Sequence, residues 1–282
     1  MMRKLVGKCA YALALPSVAA ALLVGGTAPA ALASTPVVHF DGTPGTSAPL
    51  ATLGPYTMTK AAADSRPILE NVSDVTLPNG TMTFSTAVEH TTIGNQWASW
   101  TNGYTGDVYI DSGTTLTMTL PAGTLAFYFY LEPATVSTVT MEAVAQNGTT
   151  SGPVSFSGFS SAKYFGFYGT GGATIKTIEV TLPSSANPSG FAVGEFGAGS
   201  TALQLAALHQ AVEGVGSGTT LADIVALAQQ QLSAGRTELA CLMLGGFTMQ
   251  VELQQFSRRI TATVAATLIA DAKFIETLLG GC

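Results

Sequence analysis

Between residues 34 and 196 the apolar positions come in short runs that alternate with polar ones: "TMTFST", "GDVYI", "TLTMTL", "LAFYFYL", "TVTMEAVA", "KYFGFY", "TIKTIEVTL" and "FAVGEF". Gly, Pro, Asn and Asp separate them at nearly even intervals, and no helical period intervenes. That pattern predicts about ten antiparallel strands packed as a β-sandwich of jelly-roll type. In "LAFYFYL" the alternation sends Leu125, Phe127, Phe129 and Leu131 to one face and Ala126, Tyr128 and Tyr130 to the other. A strand with one face in the core and the other outside reads this way.

After residue 200 the period changes to three and four. Leu205, Leu208, Val212 and Val215 lead, followed by Leu221, Val225, Ala228 and Leu232, by Leu244, Phe247 and Val251, and by Val264, Leu268, Ile275 and Leu279. Four helices in a small bundle are expected, with Thr219 or Thr220, Thr237 and Thr261 as candidate caps. "GAGS" at 197–200 reads as a linker between a sandwich at 34–196 and a helical module at 201–282.

The first 33 residues differ from both halves. Arg3, Lys4 and Lys8 precede the apolar "YALALPSVAAALLVGG", and "ALA" at 31–33 supplies small residues for cleavage after Ala33. This is the form of a secretory signal peptide, and Pro16, Gly25, Gly26 and Pro29 break the run short of a membrane span. Without this segment the net charge of −6 loses three positive charges and becomes −9. An acidic chain with few Lys and Arg is a poor partner for nucleic acid.

Secretion also decides how the cysteines read. Cys9 leaves with the leader, and Cys241 and Cys282 remain as a pair in an oxidising compartment. Their disulfide closes a loop of about 41 residues and stabilises the fold by about 4 kcal/mol on the chain-entropy estimate. A free thiol or metal ligand at these positions would need further ligands, and only His209 lies in this half.

The helical half resembles the FIMAH-type modules found at the ends of bacterial secreted hydrolases and surface proteins. Gly216 and Gly218 before the second helix, Ala240 and Cys241 in the third, then Phe247 and Val251, and finally Cys282 carry the likeness. Gly245 and Gly246 depart from it and put the length of the third helix in question. The resemblance implies an accessory module with no activity of its own. In the first half, "AFYFYLEP", "YFGFYGTGGATIKTIEV" and "GFAVGEFG" resemble uncharacterised secreted bacterial domains similar to carbohydrate-binding jelly rolls.

Candidate chemistry is sparse. The sandwich holds two histidines, His39 and His90, and no Gly-x-Ser-x-Gly element, so a triad hydrolase has little to build on. Asp107 and Asp111 share a strand face at about 13 Å, wider than the spacing of glycosidase carboxylates. "WASWTNGYTGDVY" gathers Trp97, Trp100, Asn102, Tyr104 and Asp107, a mixture of rings, amide and carboxylate that suits a sugar. Trp is equally a core residue, and the spacing puts Trp97 and Trp100 on opposite faces of a strand. Asp41 and Glu195 could hold a structural calcium ion if the first and last strands are neighbours. The expectation is a secreted, non-catalytic binding protein that recognises a carbohydrate or other extracellular ligand. A structural or adhesive surface component and a hydrolase accessory protein are the alternatives.

Overall fold

A computed structural model describes residues 35–42, 45–158, 161–182 and 190–282. The expected signal peptide and its cleavage point lie outside the described residues. The described strands are β1 (Val37–Phe40), β2 (Thr52–Leu53), β3 (Tyr56–Thr57), β4 (Thr59–Lys60), β5 (Asn71–Leu77), β6 (Gly80–Thr92) and β7 (Asp107–Asp111), then β8 (Thr115–Thr119), β9 (Thr124–Pro133), β10 (Thr138–Ala145), β11 (Val154–Ser157), β12 (Lys163–Thr170), β13 (Thr177–Thr181) and β14 (Phe191–Ser200). Four helices follow: α1 (Thr201–Val212), α2 (Thr220–Ser233), α3 (Thr237–Phe256) and α4 (Ala262–Leu278).

Twelve strands form one sheet in the order β1-β12-β9-β14-β7-β6-β8-β13-β10-β11, with β4 added to β14 and β5 to β6. The sheet curls until its ends meet: Thr149 Oγ1 donates to Val38 O at 2.8 Å, and the rings of Phe156 and Phe165 stand 6.5 Å apart. Where two separate sheets are expected, one curled antiparallel sheet makes a sandwich-like enclosure. Its inner face buries Phe127, Phe129, Phe165, Phe167, Phe191 and Met118 in the main core.

β9 departs from the one-sided expectation, because every residue from Thr124 to Pro133 is buried. Ala126, Tyr128 and Tyr130 belong to a second apolar layer with Leu53, Tyr56 and Tyr164, and Leu125 joins them in place of the phenylalanines. The β2–β3 hairpin, and Phe274 and Leu278 of α4, pack against this layer. Tyrosine is the residue for such a place. Its ring is apolar, and its hydroxyl reaches a polar partner, as Tyr56 does at Gly169 O (2.7 Å).

The glycines of these strands serve the same layer. A Cβ at Gly197 would collide with the Tyr128 ring, and one at Gly166 with the Tyr164 hydroxyl. Residues 197–200, expected as a linker, are therefore the buried end of β14, and the strand runs directly into α1. The small residues permit close packing where flexibility was expected. Gln204 of α1 fixes the junction: its side chain accepts from Thr57 N and donates to Thr57 O, both at 3.0 Å. The described residues from 35 onward form one compact unit.

The helical core buries Leu205, Leu208, Val212, Leu221, Val225, Leu244, Phe247, Val251, Leu268 and Ile275 as the periodicity requires, with Ala265 inward where Val264 was expected. Val264 is exposed. Thr261 caps α4 by accepting from Val264 N, and Ser200 caps α1 in the same way at Leu203 N. Thr219 makes no such bond because its hydroxyl turns to Asp223, and Thr237 already lies inside α3. α3 continues through Gly245 and Gly246 without a break. Cys241 on α3 is bonded to Cys282 beyond α4, with their Cα atoms 5.8 Å apart.

Replacing Cys282 by Ser is expected to lower the stability of the helical module by about 4 kcal/mol. Denaturant unfolding followed by helical circular dichroism, with and without reductant, measures it. Reductant should lower the midpoint of the parent protein and leave that of the variant unchanged.

Candidate functional site

The loop between β6 and β7 turns sharply at Asn102 and Gly103, whose φ values are +47° and +79°, and Tyr104 N donates to Thr101 O at 3.0 Å. Two consecutive left-handed residues make a type I′ turn, for which Asn-Gly is the favoured pair. Tyr104 then folds back over Gly106, where a Cβ would collide with it, and its hydroxyl donates to Asp107 O at 3.0 Å. The Trp100 and Tyr104 rings lie 6.3 Å apart at 44°.

Opposite this loop, β14 bulges. Its register against β9 shifts between Gly194 and Gly197, and Glu195 in the gap has φ +52°. A non-glycine residue in this region costs on the order of 1 kcal/mol or more. The bulge turns Glu195 toward the loop, where Oε2 accepts from Trp100 Nε1 (3.2 Å) and Asn102 Nδ2 (3.1 Å). Glu195 is only 6 % exposed. Burial pushes its carboxyl above the usual range, while the Asn102 and Trp100 hydrogen bonds and the Lys60 charge pull in the other direction.

A cavity of about 160 Å³ opens here, lined by Lys60, Tyr104, Asp107, Tyr109, Glu195 and the strap of alanines at 61–63. The strap is anchored by Arg66, which donates to Asp64 in bidentate fashion and to Asp74 Oδ1 at 3.0 Å. Hydrogen bonds from Arg66 hold the Asp64 carboxyl well below the usual carboxylate range, and Tyr109 OH adds a bond of 2.9 Å. Asp107 is fixed on both sides, by His90 Nε2 at Oδ1 (2.8 Å) and by Asp64 N at Oδ2 (2.9 Å). It shapes the wall and is held rigidly there. The exposed Lys60 stands at the edge of the cavity.

The five residues expected to bind a sugar thus divide. Tyr104 and Asp107 line the Glu195 cavity, and Trp100 and Asn102 join them through their hydrogen bonds to Glu195. Trp97 does not: it is 9 % exposed, packs on Val108 and Ala192, and donates from Nε1 to buried Glu132 at 2.8 Å. No strand runs through 97–100, so the expected division of the two indoles between strand faces is replaced by a division between two buried glutamates. Asp107 and Asp111 form no pair, since Asp111 is buried at the other end of β7 against Gly113.

The condition on which the calcium expectation depends, that the first and last strands are neighbours, is not met. β12 and β9 stand between β1 and β14, so Asp41 and Glu195 lie three strand spacings apart, each about 4.8 Å. No group of three or more His, Cys, Asp or Glu side chains able to hold a metal occurs among the described residues.

Sequence reasoning missed Lys60, Tyr109, His90 and Glu132. Glu132 carried a signal: the alternation Ala126, Tyr128, Tyr130 continues to it and places a carboxylate on the tyrosine face. Lys60 carried none, because it reaches the site through the pairing of β4 with β14 at Gly197.

Because the folded state raises the Glu195 pKa, folding favours the protonated form, and stability is lost as the pH climbs from the ordinary carboxylate value of the unfolded chain to the raised value of the folded one, the full cost being present above it. Glu195→Gln is expected to raise the thermal unfolding midpoint by a few degrees at neutral pH. The gain should vanish in acid, where parent and variant both carry an uncharged group; a gain independent of pH would contradict this reading.

No family model matches the chain, and no curated protein matches it. Among solved structures, it is similar to the tandem CBM51 modules of a family 98 glycoside hydrolase from Streptococcus pneumoniae, with 12 % identity and a TM-score of 0.22 over 52 % of this chain and 42 % of that one. The chain therefore spans less than half of that neighbour's length.

Proposed function

We propose that this is an exported, non-catalytic binding protein whose sandwich accommodates one ring of an extracellular glycan in the Glu195 cavity. The observation that carries the reading is Glu195 itself. A buried carboxylate in a left-handed bulge is a costly arrangement, and such local strain is concentrated at binding and catalytic sites. Its surroundings suit a polyol. The carboxylate accepts from sugar hydroxyls, Lys60 donates to ring or hydroxyl oxygens, and Tyr104 in the cavity wall presents ring surface to C–H groups, with the half-buried Trp100 beside it and bonded to Glu195. The volume of about 160 Å³ is close to that of an apolar cavity of about 150 Å³ that admits benzene, a single six-membered ring.

Catalysis is disfavoured by the state of the second carboxylate. Asp107 lines the same cavity, but both its oxygens are held by His90 and the Asp64 amide, which leaves it poorly placed to exchange a proton. Export rests on the leader-like first 33 residues. The helical module is taken as an accessory of the FIMAH type on its two-cysteine frame. A structural or adhesive role draws on a different surface, the exposed apolar side of α3.

The test is retention of the purified protein on a panel of polysaccharides. Saturable binding is expected, weakened at least about tenfold, or about 1.4 kcal/mol, by Trp100→Ala and by Glu195→Gln. Chelator should leave it unchanged. Trp97→Ala acts differently: it should cost about 3 kcal/mol of stability, since it empties core and strips a donor from buried Glu132. No retention on any polysaccharide, or soluble sugar released from a retained one, would overturn the proposal.

A further inference from the structure

α3 is apolar on two sides. Ala240, Leu244, Phe247 and Val251 face the bundle core. At about 100° per residue, Leu239, Leu242, Gly245, Gly246, Met249, Leu253 and Phe256 fall within about one third of the circumference on the opposite side. That side is in water: Leu242 is 64 %, Met249 65 %, Leu253 59 % and Phe256 89 % exposed. Halfway along, Gly245 and Gly246 form a notch in which an added Cβ would meet nothing within 4 Å. A groove of about 880 Å³ runs beside it, between α3 and the last residues of the chain at Leu279–Cys282.

We propose that this face binds a second copy of the chain, α3 against α3 in antiparallel orientation. The stripe is nearly symmetric about the point between Phe247 and Thr248. Leu239 and Phe256 are equidistant from it, as are Leu242 and Leu253, and Gly246 and Met249. A two-fold axis there places each large side chain opposite an apolar partner and each Met249 over the other copy's Gly246, the self-complementarity that an isologous interface requires. Helices approach closely where one surface carries glycine and the other a knob.

Area and charge agree. Leu239, Leu242, Met249, Leu253 and Phe256 leave roughly 600 Å² of side chain in water, against about 800 Å² per partner in a standard interface, and the flanking residues supply much of the difference. Exposed apolar patches of this size mark interaction sites. Exposed Glu238 lies at one end of the stripe and exposed Arg258 just beyond the other. The antiparallel arrangement brings Glu238 of one copy beside Arg258 of the next, whereas a parallel one sets like charges together.

Sedimentation equilibrium of the purified protein up to about 100 μM, well above the micromolar constants of weak standard-size interfaces, tests this. A dimer is expected. Met249→Asp and, separately, Gly246→Leu should each weaken it at least tenfold, and neither should lower the thermal midpoint measured at a dilution where the parent is monomeric, because both positions are exposed in the single copy. Gly246→Leu also removes a poor helix former, so a loss of association cannot be ascribed to a weaker helix. Glu238→Arg should weaken the dimer and Arg258→Glu added to it should restore it. Polysaccharide retention by Met249→Asp, set beside the parent, separates this interface from the Glu195 site. A monomer throughout the range, a dimer indifferent to these substitutions, or α3-dependent binding to lipid vesicles by a protein that stays monomeric would overturn the proposal.

Discussion

Tyr128 packs against Gly197 where β9 pairs with β14, and the rest of the molecule is arranged around that contact. A ring lying on a strand requires a glycine beneath it, and a strand with rings on its outer side must be covered. The covering comes from the β2–β3 hairpin and from Phe274 and Leu278 of α4. Sheet and helices are thereby one packing problem. β14 puts Phe191 and Phe196 into the main core on one side and lies under the Tyr128 ring on the other, every residue of it is buried, and it enters α1 without a turn of flexible chain.

Buried carboxylates are the second constraint. Glu132 on β9 and Glu195 on β14 lie on adjoining strands, and a charge removed from water must be met by donors. The loop between β6 and β7 supplies them, with Trp97 and Ser99 for Glu132 and Trp100 and Asn102 for Glu195. Its order comes from these bonds and from the Asn-Gly turn, since it contains no strand. Each glutamate borders a cavity, of about 210 Å³ at Glu132 and about 160 Å³ at Glu195, and the two differ in that the Glu195 cavity has a cation, Lys60, at its edge.

The helical module has a related economy. Its core is small, and the Cys241–Cys282 bond holds the last helix to the third where packing alone is limited. α3 spends apolar residues on its solvent side, with a glycine pair at the middle that weakens the isolated helix. Neither choice improves a solitary copy, and both suit a face that is covered by another helix.

Much of this was legible in the sequence because the signals are periodic. Alternation in β9 separated phenylalanines from tyrosines, the three-four repeat located the helices, and two cysteines in the helical half fixed their own pairing. The grouping of Trp100, Asn102, Tyr104 and Asp107 was legible because they are close along the chain, whereas the turn at Asn102–Gly103 came with the structure. Neighbours across the sheet were not legible. Strand order decided that Asp41 and Glu195 stay apart, that Lys60 meets Glu195, and that Gly-Ala-Gly-Ser is buried strand. Sequence by itself determined which faces are apolar and where the chain turns, because those follow from side-chain periods and local backbone preferences. Only the tertiary structure decided what covers each face and which donors and cation meet each buried carboxylate, because strand pairing joins residues that no local pattern connects.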